Sequence, residues 1–364
     1  MTSGERVAVL GTGLIGTSIA MAAVAAGSEV RGYDLDLETL ARAAERSGLE
    51  PAGSLEAAVE GASLVFVSTP VPSVAQVVVE ALRAAPEAVV TDVASVKSQV
   101  MVEVEGSALP GSLRRFVGGH PMGGSERSGP EFASGSVLDG IVWVVTPSAA
   151  TEDSAVVRVE SFAAAVGARP VRIEAQRHDR LVAIVSHLPQ VASTALMSLA
   201  ATEEAGEPEI LLLAAGGFRD LTRLAASSPH LWSDILLANR EQVTAAIDLY
   251  VARLLELRDL VGAERQGDVE AAFTLAKRAR LTLAAKPQIR AGIAVLQVPI
   301  PDRPGSLADL TLALSDAGVN IEDLQIVHSP EGGRGVVHLT VAADAAALAG
   351  RALAERAFST LRLA

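Results

Sequence analysis

The sequence predicts an α/β fold built on a doubly wound parallel sheet, followed by an all-α region and a small βαββαβ unit. Three observations carry this. Short β-branched runs alternate with helical patterns through residues 1–174, the signature of a parallel sheet covered by helices. From Gln176 to Lys286 the apolar pattern is helical, with no convincing strand. From Ile293 onward, strand and helix patterns alternate again. A chain of 364 residues suits two or three domains, and the pattern changes divide it into 1–174, 175–288 and 289–364.

Taken in order, Arg6 to Leu10 is a strand that meets a glycine loop, and a helix over 14–26 stops at Gly27. Val30 to Tyr33 is a second strand ending at Asp34. A helix near 37–47, a strand at Leu64–Ser68, a helix around 73–85 and a strand at 88–92 follow. Ile141–Val145 and Pro170–Ile173 are the last strands of the set. In the helical region, Val243, Ile247, Tyr250, Leu254, Leu257 and Val261 step 4-3-4-3-4. That spacing forms one apolar stripe for another helix or a second subunit. Ser228-Pro229 opens the preceding helix with a hydroxyl cap and proline at its first position. An Ala-rich helix, 268–285, runs into a linker at Lys286-Pro287-Gln288.

The tail starts with a strand, Ile293–Ile300, and a loop through Gly305. Ser306 with Asp309 reads as a capping box for a helix to Ala317, closed by Gly318. Strands Val319–His328 and Gly335–Ala342, joined by the turn at Glu331–Arg334, precede a helix over 344–356 and a short strand at 359–363. The order is ferredoxin-like.

Composition narrows the function classes. Thirty basic against 43 acidic residues give a net charge of −13, which argues against nucleic acid or an anionic membrane as partner. The chain has no cysteine, so disulfides, thiol nucleophiles and thiolate-bound metal are excluded, which fits a cytoplasmic protein. The six histidines show no i,i+4 pair of ligands and no carboxylate partner at ligand spacing, so no metal is expected. Aromatic residues make up only 3% of a chain that is 49% hydrophobic, leaving Ala, Val and Leu to build the core.

Mean hydropathy is +0.35, and three runs, 7–28, 61–79 and 181–202, carry no formal charge. Each is long enough for a membrane span, and the first, with Arg6 ahead of it, imitates a signal peptide. Their contents argue otherwise: glycines and hydroxyls in the first, Pro70 and Pro72 in the second, His187, Pro189 and Gln190 in the third. Polar groups and helix breakers at mid-membrane depth are costly.

Gly11-Thr12-Gly13-Leu14-Ile15-Gly16 matches G-x-G-x-x-G between a strand and a helix. The first glycine allows the tight turn, the second a close approach to pyrophosphate, and the third close helix–strand packing. The context is that of a Rossmann-type dinucleotide-binding unit. Asp34, at the end of the second strand, is placed to bond both ribose hydroxyls, and its charge repels a 2′-phosphate, so NAD is expected over NADP. Ligands sit beyond the carboxyl ends of such strands. Three segments there are suggestive: Ser68-Thr69-Pro70, Asp92 to Lys97, and a Gly-rich loop from Gly118 to Glu126 that holds His120. Glycines flanking an imidazole suit close substrate approach better than a buried core position.

With these motifs in view, nearly the whole chain resembles the prephenate/arogenate dehydrogenase family of tyrosine biosynthesis. The resemblance rests on the glycine loop, Ser95-Val96-Lys97, Gly119-His120-Pro121-Met122 with Gly124 and then Glu126, and Ser186-His187-Leu188-Pro189. It extends to Gly217-Phe218-Arg219-Asp220-Leu221-Thr222-Arg223 and Leu231-Trp232-Ser233-Asp234-Ile235. The tail resembles an ACT domain, an amino-acid-sensing module, through Asp302-Arg303-Pro304-Gly305 and Gly318-Val319-Asn320-Ile321.

The resemblance implies an all-α second domain of the 6-phosphogluconate-dehydrogenase type, a homodimer formed through it, and an aromatic amino-acid effector at Asp302, Pro304, Gly305, Asn320 and Ile321. It implies that His120 accepts the substrate hydroxyl proton as hydride leaves for NAD, with Ser95 orienting the hydroxyl or His120. Arg223 then holds a substrate carboxylate, for which a guanidinium fork is suited. Arg219 either helps it or is a solvated helix charge. Ser125 lies in the substrate loop, and Glu126 gates or polarises the pocket. His187 is either a structural histidine or a substrate contact. Many relatives carry a second histidine where this chain has Gln190, a neutral amide. Prephenate is placed first as substrate and arogenate second.

On the same resemblance, the uncharged runs become the nucleotide-binding strand and helix, a buried parallel strand, and a core helix, each buried on all sides. Another hydroxyacid dehydrogenase would place a lysine on a Gly-rich helix before an Asn, and 175–240 holds none. A non-catalytic sensor would keep the glycine loop and tail without needing His120, Ser95 and Arg223 together. A structural scaffold explains none of these.

Overall fold

In the computed structural model, the described residues are all but 1–3, 110, 124–128, 285–292, 302, 329–333 and 364. The chain forms two compact units, Met1–Leu199 with Thr222–Tyr250, and Ala200–Leu221 with Val251–Ala364.

The first unit is organised around eight strands: β1 (Arg6–Leu10), β2 (Glu29–Tyr33), β3 (Glu50–Pro51), β4 (Leu64–Val67), β5 (Val89–Asp92), β6 (Phe116–Pro121), β7 (Val142–Thr146) and β8 (Arg169–Arg172). Their order is β3-β2-β1-β4-β5-β6-β7-β8. Pairing is parallel from β3 through β6, antiparallel between β6 and β7, and parallel again to β8. Two of these strands, β3 and β6, are not among those the sequence predicts. The two-residue β3 is too short to leave a pattern. The segment assigned to a Gly-rich loop is strand β6 up to Pro121, because Gly118 and Gly119 lower strand propensity without preventing pairing.

Side-chain alternation explains the first two uncharged runs. Val7, Val9, Leu64 and Phe66 face one core, and Ala8, Leu10, Val65 and Val67 face another. With helices on both sides, residues 7–10 and Leu64–Val67 are all interior. Each fully buried Val or Leu contributes about 1.5–3 kcal/mol. Phe66, Trp143 and Phe162 cluster on the first face, with the two phenylalanine centroids 4.5 Å apart.

The third run differs from expectation. Helical residues Ala175–Glu203 are long and apolar enough to cross a membrane, yet only 28% of the most apolar window is buried. Ile184, Val185 and Leu199 are exposed in the single chain, so this is not a helix buried on all sides. Three of its polar residues point inward: His187, Gln190 and Ser193 are buried. A π turn, Ala183–His187, interrupts the helix just before Pro189. Proline lacks an N–H and its ring crowds the preceding turn, so a local widening relieves it.

The expected stripe falls on the helix Arg240–Gly262. Val243 is buried with Ala183 and Ala246, whereas Tyr250, Leu254 and Val261 are exposed. The preceding helix, Pro229–Ala238, has Ser228 as its cap, as read from the sequence.

In the second unit, β9 (Ile293–Pro301), β10 (Asp323–His328), β11 (Arg334–Ala342) and β12 (Leu361–Leu363) form an antiparallel sheet in the order β10-β11-β9-β12. Leu310 and Leu314 of the helix Ser306–Asp316 and Leu353 of the helix Ala346–Glu355 pack on Leu296, Val298 and Leu339. The helix Ser306–Asp316 has no side-chain cap, and Gly305, at φ +92°, is its N-cap. The capping box therefore does not form, and the left-handed turn takes its place. The second strand also starts later than expected, at Asp323 rather than Val319.

Candidate active site

The parallel pairing brings the ends of β1, β4, β5 and β6 to one edge of the sheet, and with them the glycine loop, Ser68–Pro70, Asp92–Lys97 and His120. Strand order reverses between β1 and β4, the usual place for a dinucleotide. Gly11 has φ +90°, and a Cβ there would lie 2.5 Å from the carbonyl oxygen of Ser68, so only glycine fits. A Cβ on Gly13 would meet nothing within 4 Å, which leaves open space over the loop.

The helix Leu14–Ala25 begins without a side-chain cap and without an acidic residue in its first turn. Its free N–H groups suit an anionic pyrophosphate. Thr69 adds a buried hydroxyl oxygen without a partner. Asp34 Oδ2 accepts from the Thr12 backbone N–H at 2.7 Å and from its hydroxyl at 3.1 Å. These residues fit a dinucleotide, and Asp34 leaves lone pairs for ribose hydroxyls.

His120 is half-buried near the end of β6. Its Nδ1 lies 2.9 Å from His178 Nε2, and His178 Nδ1 lies 2.8 Å from Asp179 Oδ1. Asp179 also accepts from the backbone N–H groups of Lys97 at 2.8 Å and Ser98 at 2.7 Å. Beneath His120, the fully buried Lys97 ammonium is paired with Asp92 and donates to the Gly119 carbonyl at 2.7 Å. Asp92 in turn accepts from the N–H groups of Ala94 and Gly119. Ser95 is half-buried in this same segment.

Burial, together with the nearby His178, Lys97 and His187, holds the His120 imidazole well below its ordinary pKa. The ring is therefore neutral at pH 7 and able to accept a proton. Hydrogen bonds from His178 and from the Ser98 and Lys97 backbone keep the Asp179 carboxyl low despite its burial. Burial likewise lowers Lys97, while Asp92 opposes the shift.

His187 is 1% exposed, with Nδ1 3.2 Å from Asn239 Nδ2 and its ring against Trp232. Asn239 also donates to the Asp179 carbonyl at 2.9 Å. This geometry supplies the structural hydrogen bond that was one of two readings for His187. Burial lowers its pKa to about 4 against about 6.5 unfolded. A depressed histidine stabilises the fold fully above pH 6.5, and that stability is lost as pH falls from 6.5 toward 4, by about 3 kcal/mol. In urea titrations between pH 7 and pH 4.5, H187N should therefore show a shallower loss of stability than wild type; equal slopes would refute this.

Gln190 Nε2 donates to the Leu224 carbonyl at 2.8 Å, and Ser193 accepts from the Ala225 N–H at 3.0 Å. Both side chains thus anchor the turn Arg223–Ala226, on which Arg223 is exposed. Arg219, exposed on the helix Gly216–Thr222, falls in the second compact unit. Ser125, Glu126 and Asp302 lie outside the described residues. Pro304 and Gly305 form the turn before Ser306, Asn320 donates to Glu322 at 2.7 Å, and Ile321 packs against the tail core.

Asp92 and Lys97 lie in a segment that the sequence marks as suggestive but to which it gives no role, and His178, Asp179 and Asn239 are not marked as site residues at all. A buried lysine within a quoted motif was the one available signal. Carboxylate partners of histidine also exist, at His178–Asp179 and at His230–Asp234, the latter 3.5 Å apart and spaced i,i+4. Among the described residues, no group of three His, Asp or Glu side chains could hold a metal ion.

A dinucleotide cleft beside a half-buried neutral imidazole, on a sheet followed by long helices, defines a dinucleotide-dependent dehydrogenase. The family model "Prephenate dehydrogenase, nucleotide-binding domain" matches residues 19–172, and "Prephenate dehydrogenase, dimerization domain" matches 174–275. The chain belongs to the prephenate dehydrogenase family. It is 30% identical to prephenate dehydrogenase of Bacillus subtilis, with 93% of each chain covered. It is also 30% identical to cyclohexadienyl dehydrogenase of Zymomonas mobilis, covering 80% of this chain and all of that one. Prephenate dehydrogenase from A. aeolicus, solved with hydroxyphenyl propionate and NAD+, superposes with a TM-score of 0.72 at 28% identity, covering 78% of this chain and 99% of that one.

Proposed function

We propose that the protein catalyses the NAD-dependent oxidative decarboxylation of prephenate to 4-hydroxyphenylpyruvate in tyrosine biosynthesis. The observation that carries this is the neutral, half-buried imidazole of His120 at the sheet edge that also bears the glycine loop. His120 accepts the proton of the C4 hydroxyl as the C4–H bond breaks. NAD, when bound, takes up the hydride. The ring carboxylate departs as CO₂, its bonding electrons restore aromaticity, and the ring oxygen regains a proton. Ser95 orients the hydroxyl, and Arg223 holds a carboxylate by a forked ion pair. Gln190 and Ser193 position the turn that carries Arg223.

Arogenate is the second reading, and one observation favours it. Gln190 Oε1 is buried without a partner, an acceptor suited to an ammonium group rather than a keto oxygen. The test is NADH formation by purified protein with prephenate and with arogenate. Turnover of prephenate is expected; turnover of arogenate alone would replace the first reading by the second, and neither would sink both.

The exposed apolar residues Ile184, Val185, Tyr250 and Leu254 support a homodimer assembled through the helical region. The tail is read as an ACT-type module. A cavity of about 730 Å³ in the tail suits an amino-acid effector, and it is lined by Arg303, Ser306, Asp309 and Arg356 rather than by the expected Pro304, Gly305, Asn320 or Ile321.

A further inference from the structure

We propose that His178 and Asp179 act with His120 as a relay that fixes the tautomer of His120, leaving its Nε2 as the lone pair that takes the substrate proton. The inference rests on His120 being the proton acceptor and assigns positioning roles to two residues that touch neither substrate nor cofactor in the reading above.

The proton positions follow by elimination. Asp179 is an acceptor only, held by the two backbone N–H groups at the start of the helix Ser98–Ser107. That helix end favours the anionic carboxylate. His178 Nδ1 faces the carboxylate at 2.8 Å, so it carries hydrogen; a lone pair there would be repelled. A neutral ring with Nδ1–H has its lone pair on Nε2. That lone pair lies 2.9 Å from His120 Nδ1, so His120 donates to it. The lone pair of His120 is then on Nε2.

The opposite arrangement needs a doubly protonated His178. It also leaves the hydrogen of His120 on Nε2 and its lone pair on Nδ1, already taken by His178, so the ring would offer the substrate no acceptor. Asn239 braces the assembly by donating to the Asp179 carbonyl.

The proton balance is simple. The hydroxyl O–H bond breaks, Nε2–H forms, and Nδ1–H of His120 stays on His178. The new positive charge faces Asp179 through one intervening ring. It also faces the Lys97–Asp92 pair and His187, which set its cost. The logic parallels a carboxylate holding a catalytic histidine in the correct tautomer, with a second imidazole inserted between them.

The test uses the full chain, with kcat and KM for prephenate measured from pH 5 to 9 and NAD affinity measured alongside. H178L should lower kcat about 100-fold and leave KM and NAD affinity within about threefold. H178Q can accept from His120 and donate to Asp179, so it should recover at least about tenfold of the loss.

Unchanged kcat in H178L would overturn the relay. So would a loss that H178Q does not recover. If H178L fails to fold, D179N decides: it sets an amide N–H₂ against one of the two backbone donors, and kcat should fall with NAD affinity retained. Unchanged kcat in D179N would overturn the relay. Failure of the acceptor reading is seen separately, as retained turnover in H120N.

Discussion

H120N should lower kcat for prephenate about 1,000-fold while KM and NAD affinity stay within a few-fold. Asparagine keeps polarity and approximate shape on β6 but offers no nitrogen lone pair to take a proton. Its backbone pairing with Val144 across the antiparallel β6–β7 ladder needs no imidazole, so the fold is retained. Because the lowered pKa keeps His120 neutral well below pH 6.5, wild-type turnover should not fall between pH 7.5 and 6.5 on account of this group. A residual rate within tenfold of wild type would remove His120 from the chemistry.

The second large effect is on stability. Lys97 and Asp92 are both fully buried and paired. K97M strands a carboxylate in the interior, for which a loss of about 3–5 kcal/mol is expected. For a domain of this size that lowers Tm by about 10 °C. The paired variant K97M/D92N removes both charges and should recover at least half of the loss, since neutral replacements for a buried pair are well tolerated. Calorimetry of the two variants checks this; equal Tm in K97M and wild type would show that the pair is not stabilising.

How much was legible beforehand depended on the range of the interactions. The glycine loop, the first strands and the tail order could be read because each is written in a local pattern: β-branched runs, glycines at fixed spacing, a cap before a helix. His120 was found as a residue type, yet in the wrong element. The glycines that hid β6 are required by packing, since a Cβ on Gly119 would lie 2.7 Å from the Asp92 carbonyl oxygen and 2.9 Å from Thr91 Oγ1. The supporting residues were not legible. Asp179 reaches Lys97 across 82 positions and His178 reaches His120 across 58. No periodicity encodes such contacts. The third uncharged run misled for a related reason: lack of charge marks burial against something, and in this chain alone much of that helix face is bare.

The bond from Asp34 to Thr12 couples two properties usually treated apart. The carboxylate that disfavours a 2′-phosphate also holds the backbone of the glycine loop, at 2.7 Å from the Thr12 nitrogen. Redesign toward the phosphorylated cofactor would therefore untether the loop in the same stroke, and a lone substitution at Asp34 should weaken binding of either cofactor. A change of cofactor preference in this scaffold needs a second substitution that re-anchors Thr12, so drift by single steps passes through a poorer enzyme.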